Sequence, residues 1–463
     1  MATTNVPMPG NMGVIYDDGN DLVGFQVPSA QEPQYLCGAR LEASEVEAVK
    51  SLVSGAGKVL TKRGNRGMRI FGGRAATAFS DGGTAKTHHC VVSTAMPFDG
   101  VQIVLSACNS GAVAVTRAAV CPVPDAADLN MSAGTWTAAT FGGSASGSIS
   151  TRSGSSRRTY LISDFIPVSS VARTDGGTFP LLAIRAYLGT TGTYTLLGAS
   201  GGTDDFTNWA TRPDGRIHVM RYADGDCVTT PASFSDTTNR NTSPIIGIIY
   251  YARGRVVNVA GFGDSITEGR STYIGDGFGV AACAAATAGG DVPAYEWSNL
   301  GWAGASWENG AATPGGIRLM VSDAIAAALP IDIAVMPAWT ANDFANEAGL
   351  TDAAMLTECQ QPVMRSVGAL RDAGICPVLW TGLPVATSVR DYNTADARRR
   401  NWNSAMLGSG LRVVDFSSAV SAGIDGDGQE LPADGTMTDG IHPSDSGNAT
   451  LAAVLAAELA GYA

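Results

Sequence analysis

Charge is scarce in this chain: 16% of its 463 residues are Asp, Glu, Lys or Arg, and lysine occurs only at 50, 58, 62 and 86. With 30 basic residues against 42 acidic ones, the net charge of −12 repels phosphate backbones and anionic lipid, which argues against a nucleic-acid partner. The basic run from Arg152 to Arg158 is too short to build a patch. No apolar run reaches the ~18 residues that a membrane span needs, so none is expected. Eight cysteines, at 37, 90, 108, 121, 227, 283, 359 and 376, include no Cys-x-x-Cys pair and no zinc-like spacing. They read as small buried apolar residues, with a Cys108–Cys121 bridge left open. The first nine residues carry neither a basic nor an apolar segment of a signal peptide, so an ordinary secretion signal is not expected to deliver the protein.

What is present is 45% hydrophobic residues, which excludes disorder, and 57 glycines with 21 prolines, which imply many tight turns and a large β component. Three segments differ in pattern. In residues 1–70, Val14 to Phe25 reads as a hairpin around Asp-Gly-Asn, and Leu41 to Val53 has helical apolar spacing. That segment reads as an attachment or oligomerisation piece. From 71 to 252, short runs rich in Val, Ile, Thr and Tyr alternate with turn residues, the clearest being Val101–Leu105, Leu181–Tyr187, Ile217–Tyr222 and Ile245–Tyr251. The spacing predicts a β-sandwich, jelly-roll-like, with a mobile loop over Gly142–Ser156, and the segment is a candidate carbohydrate-binding accessory domain.

From 253 to 463 the period changes. Val256–Phe262, Ile331–Pro337, Pro377–Trp380 and Leu411–Phe416 read as strands, and Ile317–Leu329, Asp352–Ala373, Thr394–Leu407 and Ser444–Leu459 as helices between and after them. Such alternation predicts a doubly wound parallel α/β sheet of the flavodoxin-like kind, whose ligands bind at the carboxyl ends of the strands.

The first of those strands runs into Gly263-Asp264-Ser265-Ile266. A serine hydroxyl at a strand end becomes a useful nucleophile only if a base takes its proton, and histidine has the suitable pKa. The chain has four histidines, and of these only His442 lies in the α/β segment. It sits in Thr438-Asp439-Gly440-Ile441-His442-Pro443, so that one turn can carry both the base and the carboxylate that orients it. The order is Ser, Asp, His, with the partners 174 and 177 residues after the serine. Acyl transfer also needs donors aimed at an oxyanion. Asn299-Leu300-Gly301-Trp302-Ala303-Gly304-Ala305 can offer a backbone N–H where a residue without a side chain permits close approach, and Asn342, in Trp339-Thr340-Ala341-Asn342-Asp343, a side-chain amide. His88-His89-Cys90 is too contiguous to converge on one ion, its two histidines read as surface or half-buried, and Arg398-Arg399-Arg400 reads as a solvated helix face.

Taken together, the four segments from about 255 to 463 resemble the GDSL, or SGNH, serine hydrolases. The first block departs from that pattern by carrying Ile266 where leucine is usual, and the third by carrying Ala341 where many members have glycine. The resemblance implies a Ser265, Asp439 and His442 triad, an oxyanion hole of Ser265, Gly304 and Asn342, and no metal or organic cofactor. Trp302 and Trp339 are candidates for lining an acyl or sugar pocket, with core packing as the alternative. A β-sandwich ahead of such a domain resembles carbohydrate O-acetyl esterases, implying an acetylated polysaccharide as substrate. The whole layout resembles bacteriophage tail or virion proteins, implying a virion or extracellular setting and a homo-oligomer, for instance a trimer, joined through residues 1–70. Open alternatives are an inactive glycan-binding virion component, a thioesterase or lysophospholipase of the same family, and a bacterial protein that is cytoplasmic or exported by another route.

Overall fold

In the computed structural model the described residues are 13–16, 22–26, 65–70, 75–107, 111–150, 159–189, 191–198, 218–238, 242–269, 277–288, 294–307, 316–344, 359–387 and 393–462. The chain divides into two compact units, Met1–Arg66 and Gly67–Ala463. In the first, Gly13–Tyr16 pairs antiparallel with Leu22–Gln26, with a bulge between Ile15 and Tyr16. The helix expected over 41–53 lies outside the described residues, as does Cys108; Cys121 is a free, buried thiol.

In the second unit two antiparallel sheets come first. One is ordered Thr242–Ser243, Thr193–Gly198, Phe98–Ala107, Ile245–Ala252, Arg66–Ile70, with Thr159–Ile162 and Ala75–Ser80 paired at its side. The other is ordered His218–Asp224, Lys86–Ser93, Leu181–Leu188, Arg117–Val123, Thr137–Ala138. Apolar side chains of both, among them Val92, Ile184 and Val120 from one and Ile103, Leu105 and Ile248 from the other, form a single cluster. The Gly142–Ser156 tract is more ordered at its start than its composition predicts. Gly147–Ile149 pairs with Val113–Val115, and the Asp164 carboxylate accepts from the N–H groups of Gly142 and Gly143. Residues 151–158 lie outside the described residues.

A five-stranded parallel sheet follows, ordered Ala294–Asn299, Val256–Gly261, Ile333–Pro337, Cys376–Trp380, Val413–Val414. In chain order this is 2-1-3-4-5, the flavodoxin-like arrangement, and its winding reverses between Val256–Gly261 and Ile333–Pro337. The carboxyl ends of those two strands frame the crevice where ligands of such sheets bind.

The edge strand Ala294–Asn299 was not apparent in the sequence, because Glu296 and Asn299 interrupt its apolar character. Every residue of it is nevertheless buried. The Glu296 carboxylate accepts from Arg69 (3.4 Å), the Tyr250 hydroxyl (2.7 Å) and the Ala95 N–H (2.7 Å), which offsets the cost of burying its charge. Asn258 and Ser298 accept the Met68 and Ile70 N–H groups in the same seam. Met68, Ile70, Val104 and Ile249 also share an apolar cluster with Phe262, Leu300 and Trp339, so the core continues across the change of architecture near residue 253.

Arg399 corrects the reading of Arg398–Arg400 as a solvated face. It is 1% exposed and donates to Asp396, Glu430 (2.6 Å), the Gly382 carbonyl (2.8 Å) and the Ser417 hydroxyl (2.9 Å). Burial disfavours the Asp396 charge, but the Arg399 guanidinium, the Glu430 N–H and Arg400 together outweigh it and lower the carboxyl below its ordinary range. Arg399→Met takes the buried cation from between Asp396 and Glu430, leaving Asp396 its pair with Arg400 at 2.8 Å, and is expected to cost about 3 kcal/mol, read as a lower urea midpoint at pH 7. An unchanged midpoint would contradict this.

Candidate active site

Val256–Gly261 is buried throughout, and the chain turns sharply after it. A side chain on Gly263 would sit 2.0 Å from the Thr267 hydroxyl, so only glycine fits there. Asp264 then caps the short helix Ser265–Glu268 by accepting from the Ile266 N–H at 2.9 Å, and Gly269, at φ +84°, closes it. Ser265 is thereby held at the crevice, 7% exposed. Burial pushes the Asp264 carboxyl up to about 7; its bond from Ile266 opposes the rise and the charge of Asp343 adds to it.

The turn before the final helix brings the other two groups. Its backbone is set by Thr438 N–H to the His442 carbonyl and Ala386 N–H to the Gly440 carbonyl, both 2.8 Å, while Ser444 caps helix Asp445–Leu459. Asp439 divides its oxygens. Oδ1 accepts from the N–H groups of Ile441 (3.1 Å) and His442 (2.9 Å), and Oδ2 lies 2.7 Å from His442 Nδ1. Burial disfavours the Asp439 charge, yet the His442 and Ile441 hydrogen bonds outweigh it and hold the carboxyl at about 2. A carboxylate only accepts, so Nδ1 carries the proton and Nε2 is left as an acceptor. Ser265 Oγ lies 2.8 Å from that Nε2. The hydroxyl, the imidazole and the carboxylate form one continuous hydrogen-bonded chain.

Gly304 has φ +77° and occupies the turn closed by Ala305 N–H to the Trp302 carbonyl at 2.9 Å. The loop is tied to the serine segment by Trp302 N–H to the Gly263 carbonyl at 2.9 Å. Asn342 stands in the turn after Ile333–Pro337, and its Nδ2 donates to the Ala305 carbonyl at 2.8 Å and, more weakly, to Asp264 Oδ2 at 3.3 Å. One amide hydrogen is therefore committed to the Gly304 loop, and the other is held by a long bond beside the serine. Trp302 and Trp339 are 3% and 1% exposed and belong to the apolar core.

His88 and His89 are completely buried, which corrects their reading as surface or half-buried residues; Cys90 is buried, as expected of the cysteines. Their strand, Lys86–Ser93, is covered on both faces: Cys90 and Val92 belong to one apolar cluster and Val91, pointing the other way, to another. Among the described residues no group of three or more His, Cys, Asp or Glu side chains is placed to hold a metal ion, and no helix is long and apolar enough to cross a membrane.

No family model matches the sequence, and no curated protein matches it. Solved structures do resemble part of it. A lipase/acylhydrolase from Enterococcus faecalis is 18% identical over 44% of this chain and 96% of its own, with a TM-score of 0.34. A GDSL-like lipase from Bacteroides thetaiotaomicron VPI-5482 is 13% identical over 44% and 89%, at 0.32, and the acetyl xylan esterase AlAXEase is 15% identical over 44% and 99%, at 0.33. With identities and TM-scores this low, the chemistry has to be read from the geometry of the site itself.

Proposed function

We propose that this protein is a serine esterase of the GDSL, or SGNH, kind that removes small acyl groups, acetyl first among them, from a polysaccharide. The observation that carries the reading is the unbroken relay from Ser265 Oγ through His442 to Asp439, at the point where the parallel sheet reverses its winding. His442 Nε2 takes the Ser265 proton as the oxygen attacks the ester carbonyl. The Ser265 and Gly304 N–H groups and the Asn342 amide receive the oxyanion, for which Asn342 surrenders its long bond to Asp264. His442 then protonates the departing sugar hydroxyl, and the acyl-enzyme is hydrolysed by water deprotonated at the same nitrogen.

Residues 71–252 fit an accessory β-sandwich that presents glycan to this site, a reading supported by two antiparallel sheets with a common apolar cluster. Residues 1–70 are read as the segment that joins copies and attaches them to a virion.

The purified protein is expected to release p-nitrophenol from p-nitrophenyl acetate and acetate from acetylated bacterial glycans, while Ser265→Ala does neither. Equal signal from both proteins would return the case to a glycan-binding role. A rate that peaks at acyl chains of about eight carbons or more would favour a lipid or thioester substrate instead.

A further inference from the structure

Beside Asn342, in the same turn, Asp343 has no part in the reaction described above, yet it is buried with three donors converging on it. Its Oδ1 accepts from the Trp307 N–H at 2.8 Å. Its Oδ2 accepts from the Thr340 N–H and the Thr340 hydroxyl, each at 3.0 Å. The Thr340 oxygen in turn accepts from the N–H groups of Asn342 (3.2 Å) and Asp343 (3.3 Å). Trp307 belongs to the loop that carries Gly304 and Ala305, and its indole N–H is anchored on the Pro337 carbonyl at 3.1 Å, at the end of the strand that leads to Thr340.

We propose that Asp343 is a positioning residue for the oxyanion hole: by bridging Trp307 and Thr340 it sets the spacing between the Gly304 N–H and the Asn342 amide. This rests on the esterase reading above and assigns to the same site a part that neither the motif nor the triad supplies. Three features of the geometry carry it. The two loops lie after different strands, on either side of the switch point, so neither fixes the other through local backbone. Asp343 reaches one with each oxygen. The direct link between them is a single bond, Asn342 Nδ2 to the Ala305 carbonyl, made by one hydrogen of the amide whose other hydrogen serves the oxyanion; alone it leaves the two loops free to pivot about it, and the bonds through Asp343 give the spacing a second fixed point. A carboxylate suits this position because it accepts on both sides; in Asp343→Asn, whichever way the amide is turned, an NH2 group opposes a backbone N–H.

The decisive comparison is steady-state hydrolysis of p-nitrophenyl acetate by the full-length protein, with Asp343→Asn, Thr340→Val and Ser265→Ala alongside. Asp343→Asn is expected to lower kcat about 10- to 100-fold with KM changed less than about threefold, since misplaced donors cost transition-state binding more than substrate binding. Its affinity for a boronic acid, a tetrahedral adduct mimic, is expected to fall in proportion to kcat/KM. Thr340→Val, which keeps the carboxylate and removes one of its donors, is expected to lower kcat about fivefold in the same pattern, and it decides the matter if Asp343→Asn does not fold. A folded Asp343→Asn with wild-type kcat, or with a raised KM and unchanged kcat, overturns the proposal while leaving the esterase reading intact; where Asp343→Asn does not fold, wild-type kcat in Thr340→Val does the same. Absence of Ser265-dependent turnover in the wild-type protein overturns both.

Discussion

Ser265→Ala and His442→Ala are each expected to lower kcat for acetyl ester hydrolysis by about 10⁴-fold or more, and the double substitution is expected to lower it no further. The reason is that the two groups act as one. Ser265 Oγ is a nucleophile only while Nε2, 2.8 Å away, takes its proton, and Nε2 has nothing to activate once the hydroxyl is gone. Asp439→Ala is expected to cost about tenfold less than either, because its side chain is 47% exposed and water can partly replace it against Nδ1. Steady-state rates with p-nitrophenyl acetate at pH 7 and 8 measure all four proteins. Multiplicative losses in the double variant would mean that the serine and the histidine work independently, which this geometry does not allow.

Acidification is expected to destabilise the fold well above the pH at which ordinary carboxylates titrate. His88 packs against Phe79 and Tyr222, and neither of its ring nitrogens has a hydrogen-bond partner among the described residues. Burial, and then the charge of Lys86, lowers its pKa to about 3. His89 is lowered to about 3 by burial and the charges of Arg185 and Arg221, against the bond to the Leu129 carbonyl. Between pH 6.5 and 3 the unfolded chain therefore binds protons at both positions that the folded chain refuses, so stability falls as pH falls through that window. At pH 4.5 each histidine costs about 3 kcal/mol.

Asp264 works in the opposite sense. Its folded pKa is raised to about 7, so the folded state holds the extra proton and gains stability as pH falls toward 4. Two histidines against one carboxyl leave a net loss of about 2 kcal/mol at pH 4.5, a sizeable share of the ~5–15 kcal/mol that holds a domain folded. Urea midpoints at pH 7 and 4.5 read the effect. His88→Leu should flatten the pH dependence and Asp264→Asn should steepen it; identical midpoints at the two pH values in the wild-type protein would sink the account.

Reading these features from sequence succeeded where the signal is local. The runs at 256, 333 and 376 are largely apolar because the parallel sheet is covered on both faces, and with few polar residues among them their limits are legible. Leu411–Phe416 shortened to Val413–Val414, as an edge strand has fewer partners to extend it. Ala294–Asn299 and Arg399 escaped for a common reason. Charged residues in a sequence signal solvent, and their burial depends on partners far along the chain: Arg69 for Glu296, 227 residues away, and Glu430 for Arg399, 31 away. His88 and His89 escaped likewise, since one histidine looks the same beside water as beside Phe79. Asp343 was visible only as the neighbour of Asn342; nothing in the order of residues says that its two oxygens reach two different loops.

Composition and motif order were enough to propose that a serine, a carboxylate and an imidazole meet at the end of the first parallel strand, because each stands beside a local signal: a glycine turn, an Asp-x-x-His turn, a change of hydrophobic period. The spacing of the oxyanion donors, the burial of Asp264 and Asp343 between them, the retreat of Trp302 and Trp339 into the core and the sealing of a glutamate between two architectures emerge only on folding. These are properties of long-range packing, in which the energy of a buried charge is set by whichever groups the folded chain brings within a few ångströms of it.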